Sequence, residues 1–452
     1  MQGTVLAIGI FCSFLVVALR PKHALVVYIT ALLWFPEFLR FSIGTIDISL
    51  GRFVVAVLLL RCLSNNSIRS KFKWTSLDTW VTGSMIVYVG AVLVTQPTMA
   101  SIENRSGFVM DTWFSYLVAR FIITDRHTLI SVIKCVAIVL VPLTILGCIE
   151  TFTGWQPFLP LRRFKPWLQL DPQAEFTKVV RWGLVRAVGP FNHPILFGSG
   201  FAIFLPLIYY LHYEKRPWRI LAYILSATVI LGAFTSMSVG PWVMVAVAIF
   251  CLAMEKHKTW VKPMILFFVF TCVATELLSN RPFYHVFTSY ASKLGGAGWH
   301  RAKLIDVAIK HFNEWWLIGY GGKDPGWGPY FGMSRTDVTN EYIAAGVRYG
   351  MAGVIALCGV LYVAFRGLVN AYKKTIHPAT KSLYWALGSM LSSVAVTWMA
   401  AHFFGQLLSL FYCLLGVIGS CSLFTITQKV KFRKVLINNS SKRIMQETIN
   451  RK

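Results

Sequence analysis

Thirteen apolar runs succeed one another along this 452-residue chain, at 3–19, 24–40, 46–61, 78–96, 107–124, 129–153, 194–213, 220–236, 239–254, 262–279, 341–365, 383–402 and 407–427. A helix that crosses a bilayer needs about 20 mostly apolar residues. In lipid only helices and closed barrels satisfy every backbone polar group. These runs are continuous and lack the alternation of barrel strands. The expected fold class is therefore an all-α polytopic integral membrane protein with about 12–13 transmembrane helices. Composition agrees: 56% of residues are hydrophobic and 14% charged, against about 25% charged in a soluble domain. The runs 24–40 and 46–61 are short and interrupted by Pro36 and Gly51, so a re-entrant pair is the alternative reading there.

The charge distribution gives the bundle a direction. Lys and Arg number 44 against 18 Asp and Glu, a net charge of +26. No nucleic-acid-binding motif accompanies this excess, and no nucleic-acid partner is expected. Short basic connections mark the cytoplasmic side of membrane proteins. Here they are Arg20 and Lys22; Arg61, Arg69, Lys71 and Lys73; Lys215, Arg216 and Arg219; Lys256, Lys258 and Lys262; Arg366, Lys373, Lys374 and Lys381. With thirteen spans all of them fall on one side, with the N-terminus outside and a basic tail at 428–452 inside. Residues 1–427 then form one transmembrane domain. The first run lacks a basic leader and a small-residue cleavage site, so no cleavable signal is expected. The nine cysteines lie in or beside apolar runs without a CxxC pair, so neither disulfides nor a zinc site is expected.

Two long polar stretches, 154–193 and 280–340, fall on the outer side by the same reasoning. Their Trp, Phe, Tyr, Gly and Pro content favours folded loops with short helices over disorder. Both are basic, although long translocated loops need not be. The first has Arg162, Arg163, Lys165, Lys178, Arg181 and Arg186 against Asp171 and Glu175. The second has Arg281, Lys293, Arg301, Lys303, Lys310, Lys323 and Arg335 against Asp306, Glu314, Asp324 and Asp337. An anionic ligand explains such an excess, because the planar arginine fork binds phosphate bidentately. A solvated basic surface would carry the same residues.

The first loop ends in Arg186-Ala-Val-Gly-Pro-Phe-Asn-His-Pro, running to Gly198. Gly189-Pro190 turns the chain. Asn192 or His193 can cap the following helix, with Pro194 in its first turn. Arg186 and His193 then stand beside a helix N-terminus, which favours anions. In the second loop, spacing predicts an amphipathic helix over 300–316 with Leu304, Ala308 and Phe312, together with Ile305 and Ile309, on its apolar face. Arg301 lies at its start and Gly319-Tyr-Gly-Gly322 ends it. Asp337-Val-Thr-Asn340-Glu341-Tyr342 leads into the next run, where Asp337 or Thr339 can serve as caps.

These two motifs, in this order and separation, resemble the O-antigen ligase and polymerase superfamily (WaaL-type ligases and Wzy-type polymerases), closest to its exopolysaccharide polymerases. The resemblance covers about Leu129 to Gly353. It implies a glycosyltransferase of the bacterial inner membrane that needs neither metal nor cofactor. The donor would be a saccharide on undecaprenyl diphosphate, used at the outer face. Membrane lipid and other polysaccharide assembly and export proteins would be partners. It implies that Arg186 and Arg301, with Arg181 nearby, hold the diphosphate. Gly189, Asn192, Ser238 and Asn340 support the motifs. A fixed arginine set stabilises the charge developing on a diphosphate leaving group without a metal. The acceptor hydroxyl needs a general base, for which Asp337, Glu341, His193 and His300 are candidates. Ligases carry a histidine where this chain has Thr339, and many members an arginine where it has Val239, in the Thr235–Trp242 turn. Ligase activity, and transport of lipid-linked saccharides, are the rival readings; internal repeats, which a transporter would lead one to expect, are not evident.

Glu37, Asp47, Asp78, Asp111, Arg120, Glu150 and Glu276 fall within or at the ends of apolar runs. Interfacial placement with snorkelling is the expectation for most of them. Asp111 and Arg120 are nine residues apart, too far to pair along a helix.

Overall fold

The computed structural model describes residues 2–44, 46–164, 179–293, 298–421 and 424. The expected tail at 428–452, and Lys165, Asp171, Glu175 and Lys178 of the first loop, lie outside the described residues. About 75% of the described residues are helical, and the sheet among them is two two-stranded ribbons. This is an all-α architecture of the kind a multi-pass membrane protein adopts.

Each of the thirteen apolar runs contains helix. Among the described residues, six helices are long and apolar enough to cross a membrane: Ser76–Thr95, Arg126–Thr153, Pro194–Tyr213, Trp218–Thr235, Lys258–Leu278 and Glu341–Lys374. Gly3–Ala18, Val239–Ala253 and Gln406–Cys421 are apolar but shorter. By that standard the helices reach fewer than the twelve or thirteen spans expected. Runs 24–40 and 46–61 lose length for a definite reason. The first helix stops at Trp34, just before Pro36. Arg40–Ile43 then pairs antiparallel with Ile46–Ser49, so these residues form a hairpin between helices Pro21–Trp34 and Leu50–Ser64.

Gln406–Cys421 is apolar all round and lies inside the bundle, with Leu407, Leu410, Phe411, Leu415 and Ile418 all buried. A helix without a polar face belongs in an interior. Helix Glu341–Lys374 packs on Ser76–Thr95, Val239–Ala253 on Pro378–Thr397, and Trp218–Thr235 on Arg126–Thr153. Lys258–Leu278 has no buried residue and turns its apolar side chains outward.

Several of the ionisable residues of the apolar runs are hydrogen-bonded inside the bundle, whereas Glu276, near the end of helix Lys258–Leu278, is exposed. Arg120 meets Asp78 at 2.8 Å, both side chains essentially inaccessible. Tyr116 also donates to that carboxylate at 2.6 Å. Asp111 meets Arg52 at 2.7 Å. Glu150, also buried, accepts from the backbone N–H groups of Val188 and Gly189 at 3.1 and 2.9 Å. That contact ties the end of the first long loop to the end of helix Arg126–Thr153.

Helix Glu341–Lys374 is broken at Gly350, which has φ +70° and ψ −172°. The break exposes backbone groups that the second loop then satisfies. Tyr320 and Gly321 donate to the carbonyls of Val347 and Arg348 at 2.7 and 3.0 Å, and Met351 donates to Trp316 at 2.7 Å. The approach is so close that a Cβ on Gly319 would lie 2.6 Å from Arg348 C, and one on Gly350 2.5 Å from Leu317 O. The second loop is thus docked on a kink in the helix it precedes.

The amphipathic helix of that loop runs Gly298–Lys310, with a separate turn Phe312–Trp315. Its buried face is Leu304, Val307 and Ala308, joined by Trp315, Trp327, Phe331 and Val347. Ile309 and Phe312, expected on the apolar face, are exposed. The helix breaks at His311, which turns Phe312 out of register and brings Trp315 inward instead.

Candidate functional site

Six connections meet at the end of the bundle opposite the short basic ones: 36–49, 96–106, 186–193, 236–238, 298–340 and 398–405. The first long loop reaches this end through a two-residue hairpin turn. Val180–Arg181 pairs antiparallel with Leu184–Val185. Trp182 and Gly183 between them both take positive φ, 51° and 78°, the backbone that tight hairpins require. Trp182 packs on Trp242 at 5.6 Å between ring centroids, which fixes Arg181 and the strand leading to Arg186.

Arg186 donates to Ser238 Oγ at 2.8 Å, and Ser238 donates in turn to the Ser236 carbonyl at 2.7 Å. Ser238 therefore sits in the expected tight turn between helices ending at Thr235 and starting at Val239. Burial and the neighbouring charge of Arg181 push the Arg186 guanidinium down to about 10, which leaves it charged at neutral pH. Arg301 donates to the Ala400 carbonyl at 3.0 Å. It too is depressed by burial and by Arg181, while Asp337 opposes the shift. Arg181 thus adds its charge to both Arg186 and Arg301. Asp337 supplies a single nearby negative charge to Arg301.

His193, not Asn192, caps the next helix: its Nδ1 accepts from the Ile195 N–H at 3.1 Å, with Pro194 in the first turn. Burial and the charge of Arg186 push this imidazole down to about 4. Asn192 instead donates to Glu37 at 3.1 Å. Gly189 takes φ +55°, and a Cβ there would meet Phe197 at 2.5 Å. His300 is buried with its ring 4.5 Å from Phe331. Burial and Arg301 lower its basicity, against the pull of Asp337.

Asn340, rather than Asp337 or Thr339, caps helix Glu341–Lys374, accepting from the N–H groups of Tyr342 and Ile343 at 2.9 and 3.1 Å. Glu341 in the first turn holds a partner that the motifs did not reveal. His402 Nδ1 lies 2.6 Å from Glu341 Oε2, and the Phe403 N–H donates to the same oxygen at 2.9 Å. The other ring nitrogen of His402 is 2.9 Å from Arg348 Nη1. The carboxylate and Arg348 together hold the imidazole in one orientation.

Glu341, Arg348 and His402 line a cavity of about 260 Å³ together with Arg52, Arg105 and Tyr88. A second cavity of about 760 Å³ adjoins it and is lined by Asp337, Arg335 and Lys323, and again by Arg105, Arg348 and His402. The candidate residues fall into two neighbouring groups. Arg181, Arg186, Arg301 and His193 form one, while Glu341 and His402 form the other. The backbone of 398–405 joins them, since Arg301 binds Ala400 and Glu341 binds Phe403. Asp337 belongs to both, beside Arg301 and on the wall of the larger cavity.

This arrangement can hold an anion among the three arginines and can receive a proton at an oriented imidazole. No family model matches the chain, and no curated protein matches it.

Proposed function

We propose that the protein is a glycosyltransferase of the bacterial inner membrane. It transfers saccharide repeat units from undecaprenyl diphosphate to the end of a growing exopolysaccharide or O-antigen chain. The observation that carries this reading is the placement of Arg186 and Arg301, drawn from two separate loops, on Ser238 and on the Ala400 carbonyl, with neither in an ion pair among the described residues. The motif resemblance described above supports it independently. The convergent end is taken as the outer face, because the short basic connections lie at the other.

In the reaction the acceptor hydroxyl oxygen attacks the anomeric carbon of the lipid-linked sugar. The bond from that carbon to the diphosphate oxygen breaks, and its electron pair leaves with undecaprenyl diphosphate. The arginines stabilise the charge developing there. The hydroxyl proton passes to His402 Nε2, and Glu341 stabilises the resulting imidazolium from the far side, as carboxylates do in other oriented His pairs. Glu341 is thereby a positioning residue and His402 the base.

Purified protein in liposomes, supplied with lipid-linked repeat units, tests the reading. A ladder of lengthening glycans is expected. Arg186→Ala and Arg301→Ala should each abolish the ladder while the protein remains monodisperse. Transfer of a whole chain to a distinct acceptor would make it a ligase. Movement of the lipid across the bilayer without transfer would overturn the enzyme reading.

A further inference from the structure

The arginines of the convergent end differ in whether they are neutralised. Arg52 is paired with Asp111, and Arg40 with Glu37. Arg181, Arg186 and Arg301 are assigned above to the diphosphate. Of the others, Arg335 lines only the larger cavity, whereas Arg105 and Arg348 lie on the wall shared by the two. Neither forms an ion pair with a carboxylate among the described residues. Arg105 reaches Tyr349 OH at 3.3 Å and Asn104 Oδ1 at 2.5 Å, with its guanidinium 5.0 Å from the centroid of Phe108. Its Nε is buried without a partner. Arg348 spends one N–H on His402.

Arg105 brings to this space a charged fork whose buried Nε–H is unmet, and Arg348 brings a second fork beside it; a buried unmet donor is costly unless an anion completes it, because it loses its hydration without return. The larger cavity around them is also furnished for a saccharide. Gln96, Thr98, Ser101 and Asn104 offer amides and hydroxyls, and Tyr349, stacked on Tyr88 at 4.5 Å, walls the smaller one with aromatic rings.

We propose that Arg105 and Arg348 form a subsite for the carboxylate of an acidic sugar in the acceptor chain. This deepens the glycan-transfer reading and rests on it for the ligand being a saccharide. A carboxylate seated there takes the fork of Arg348 bidentately. Arg348 then releases His402 Nε2, so occupancy of the acceptor subsite frees the base. The same chemistry would suit a phosphate of the lipid donor, and the experiment separates the two.

Binding is measured by calorimetry on the full chain in detergent. The probes are a uronate-containing oligosaccharide, the same oligosaccharide with its carboxyl reduced to the alcohol, and undecaprenyl diphosphate. Wild-type protein should bind the uronate form about 10- to 100-fold more tightly than the reduced form, the range of a charge-assisted pair. Arg105→Gln and Arg348→Gln should erase that preference and leave undecaprenyl diphosphate binding unchanged. Arg348→Lys, which keeps the charge without the fork, should retain only part of the preference, and it guards against a variant that fails to fold. Arg186→Ala should do the reverse, weakening the diphosphate and sparing the uronate. Equal affinity for acid and alcohol, or no binding of either, overturns the subsite. So does loss of diphosphate binding in Arg105→Gln and Arg348→Gln, which would reassign both arginines to the donor. Failure of polymerisation with the uronate preference intact would count against the reaction and not against the subsite.

Discussion

Glu341 and His402 are 61 residues apart in sequence, yet Glu341 Oε2 and His402 Nδ1 meet at 2.6 Å. The Phe403 N–H steadies the same oxygen, so the carboxylate is fixed before the imidazole docks on it. A base oriented this way contributes about 10²- to 10⁴-fold to a proton-transfer step. His402→Ala should therefore lower kcat by that order while leaving donor KM nearly unchanged. Glu341→Gln keeps a neutral hydrogen-bonding partner but removes the charge that stabilises the imidazolium. It should lower kcat by less. Initial-rate kinetics check both, and an undiminished kcat in His402→Ala would speak against His402 as the base.

His193 carries a pH dependence of stability. Burial and Arg186 hold its folded-state value down to about 4, against about 6.5 for an unperturbed histidine. Between those values the unfolded chain binds a proton that the folded chain refuses. The contribution is complete above about pH 6.5 and is lost as pH falls from there towards 4. Its ceiling is about 3 kcal/mol at one pKa unit per 1.36 kcal/mol. His193→Asn retains a capping side chain that does not titrate. Thermal unfolding in detergent between pH 4 and 7 should show a shallower acid decline for that variant than for wild type.

Gly350 occupies a backbone region closed to other L-residues at this site, with φ +70° and Leu317 O only 2.5 Å from where a Cβ would sit. Gly350→Ala should cost roughly 1–3 kcal/mol in strain and loosen the loop docked there. Hydrogen exchange at the Tyr320 and Gly321 amides should quicken. Gly367 lies in the same long helix, and a Cβ added to it would meet nothing within 4 Å. Gly367→Ala should be neutral or stabilising by up to about 1 kcal/mol.

The Asp78–Arg120 pair is sealed from solvent. Removing one member of a buried pair strands the other charge, at roughly 3–5 kcal/mol. Arg120→Leu and Asp78→Leu should each lower the melting temperature sharply, and the double variant should recover part of the loss. Strictly additive losses would mean that the two side chains are not energetically coupled.

The helical segments are legible in the sequence because an apolar run of sufficient length has few folded alternatives. The basic residues of the two long loops are visible there too, since they stand out against the general bias. Pairings between distant segments are not. Helical periodicity relates neighbours three and four apart, whereas Asp78 and Arg120 are separated by 42 residues and Arg52 and Asp111 by 59. Phe312 departs from the periodic pattern because the helical register stops at His311, whereas Ile309 lies within helix Gly298–Lys310 and faces outward there. His402 carries no motif. Its one signal is a histidine beside Trp398, Phe403 and Phe404 in a short connection on the expected outer side. Gly350 reads as an ordinary glycine in an apolar run, and only Gly319 pressed against its turn discloses the kink.

The connection 398–405 engages its neighbours mainly through its main chain. The carbonyls of Trp398, Met399 and Ala400 accept in sequence from the Glu341 N–H, Asn340 Nδ2 and Arg301 Nε, and Phe403 returns an N–H to Glu341. Such a segment acts as a ruler whose graduations are peptide groups. Trp398 and Phe403 anchor it in the core. Insertion or deletion of a single residue would shift every graduation, uncoupling the arginine cluster from the carboxylate–imidazole pair in one step. Among homologues this stretch should therefore hold its length.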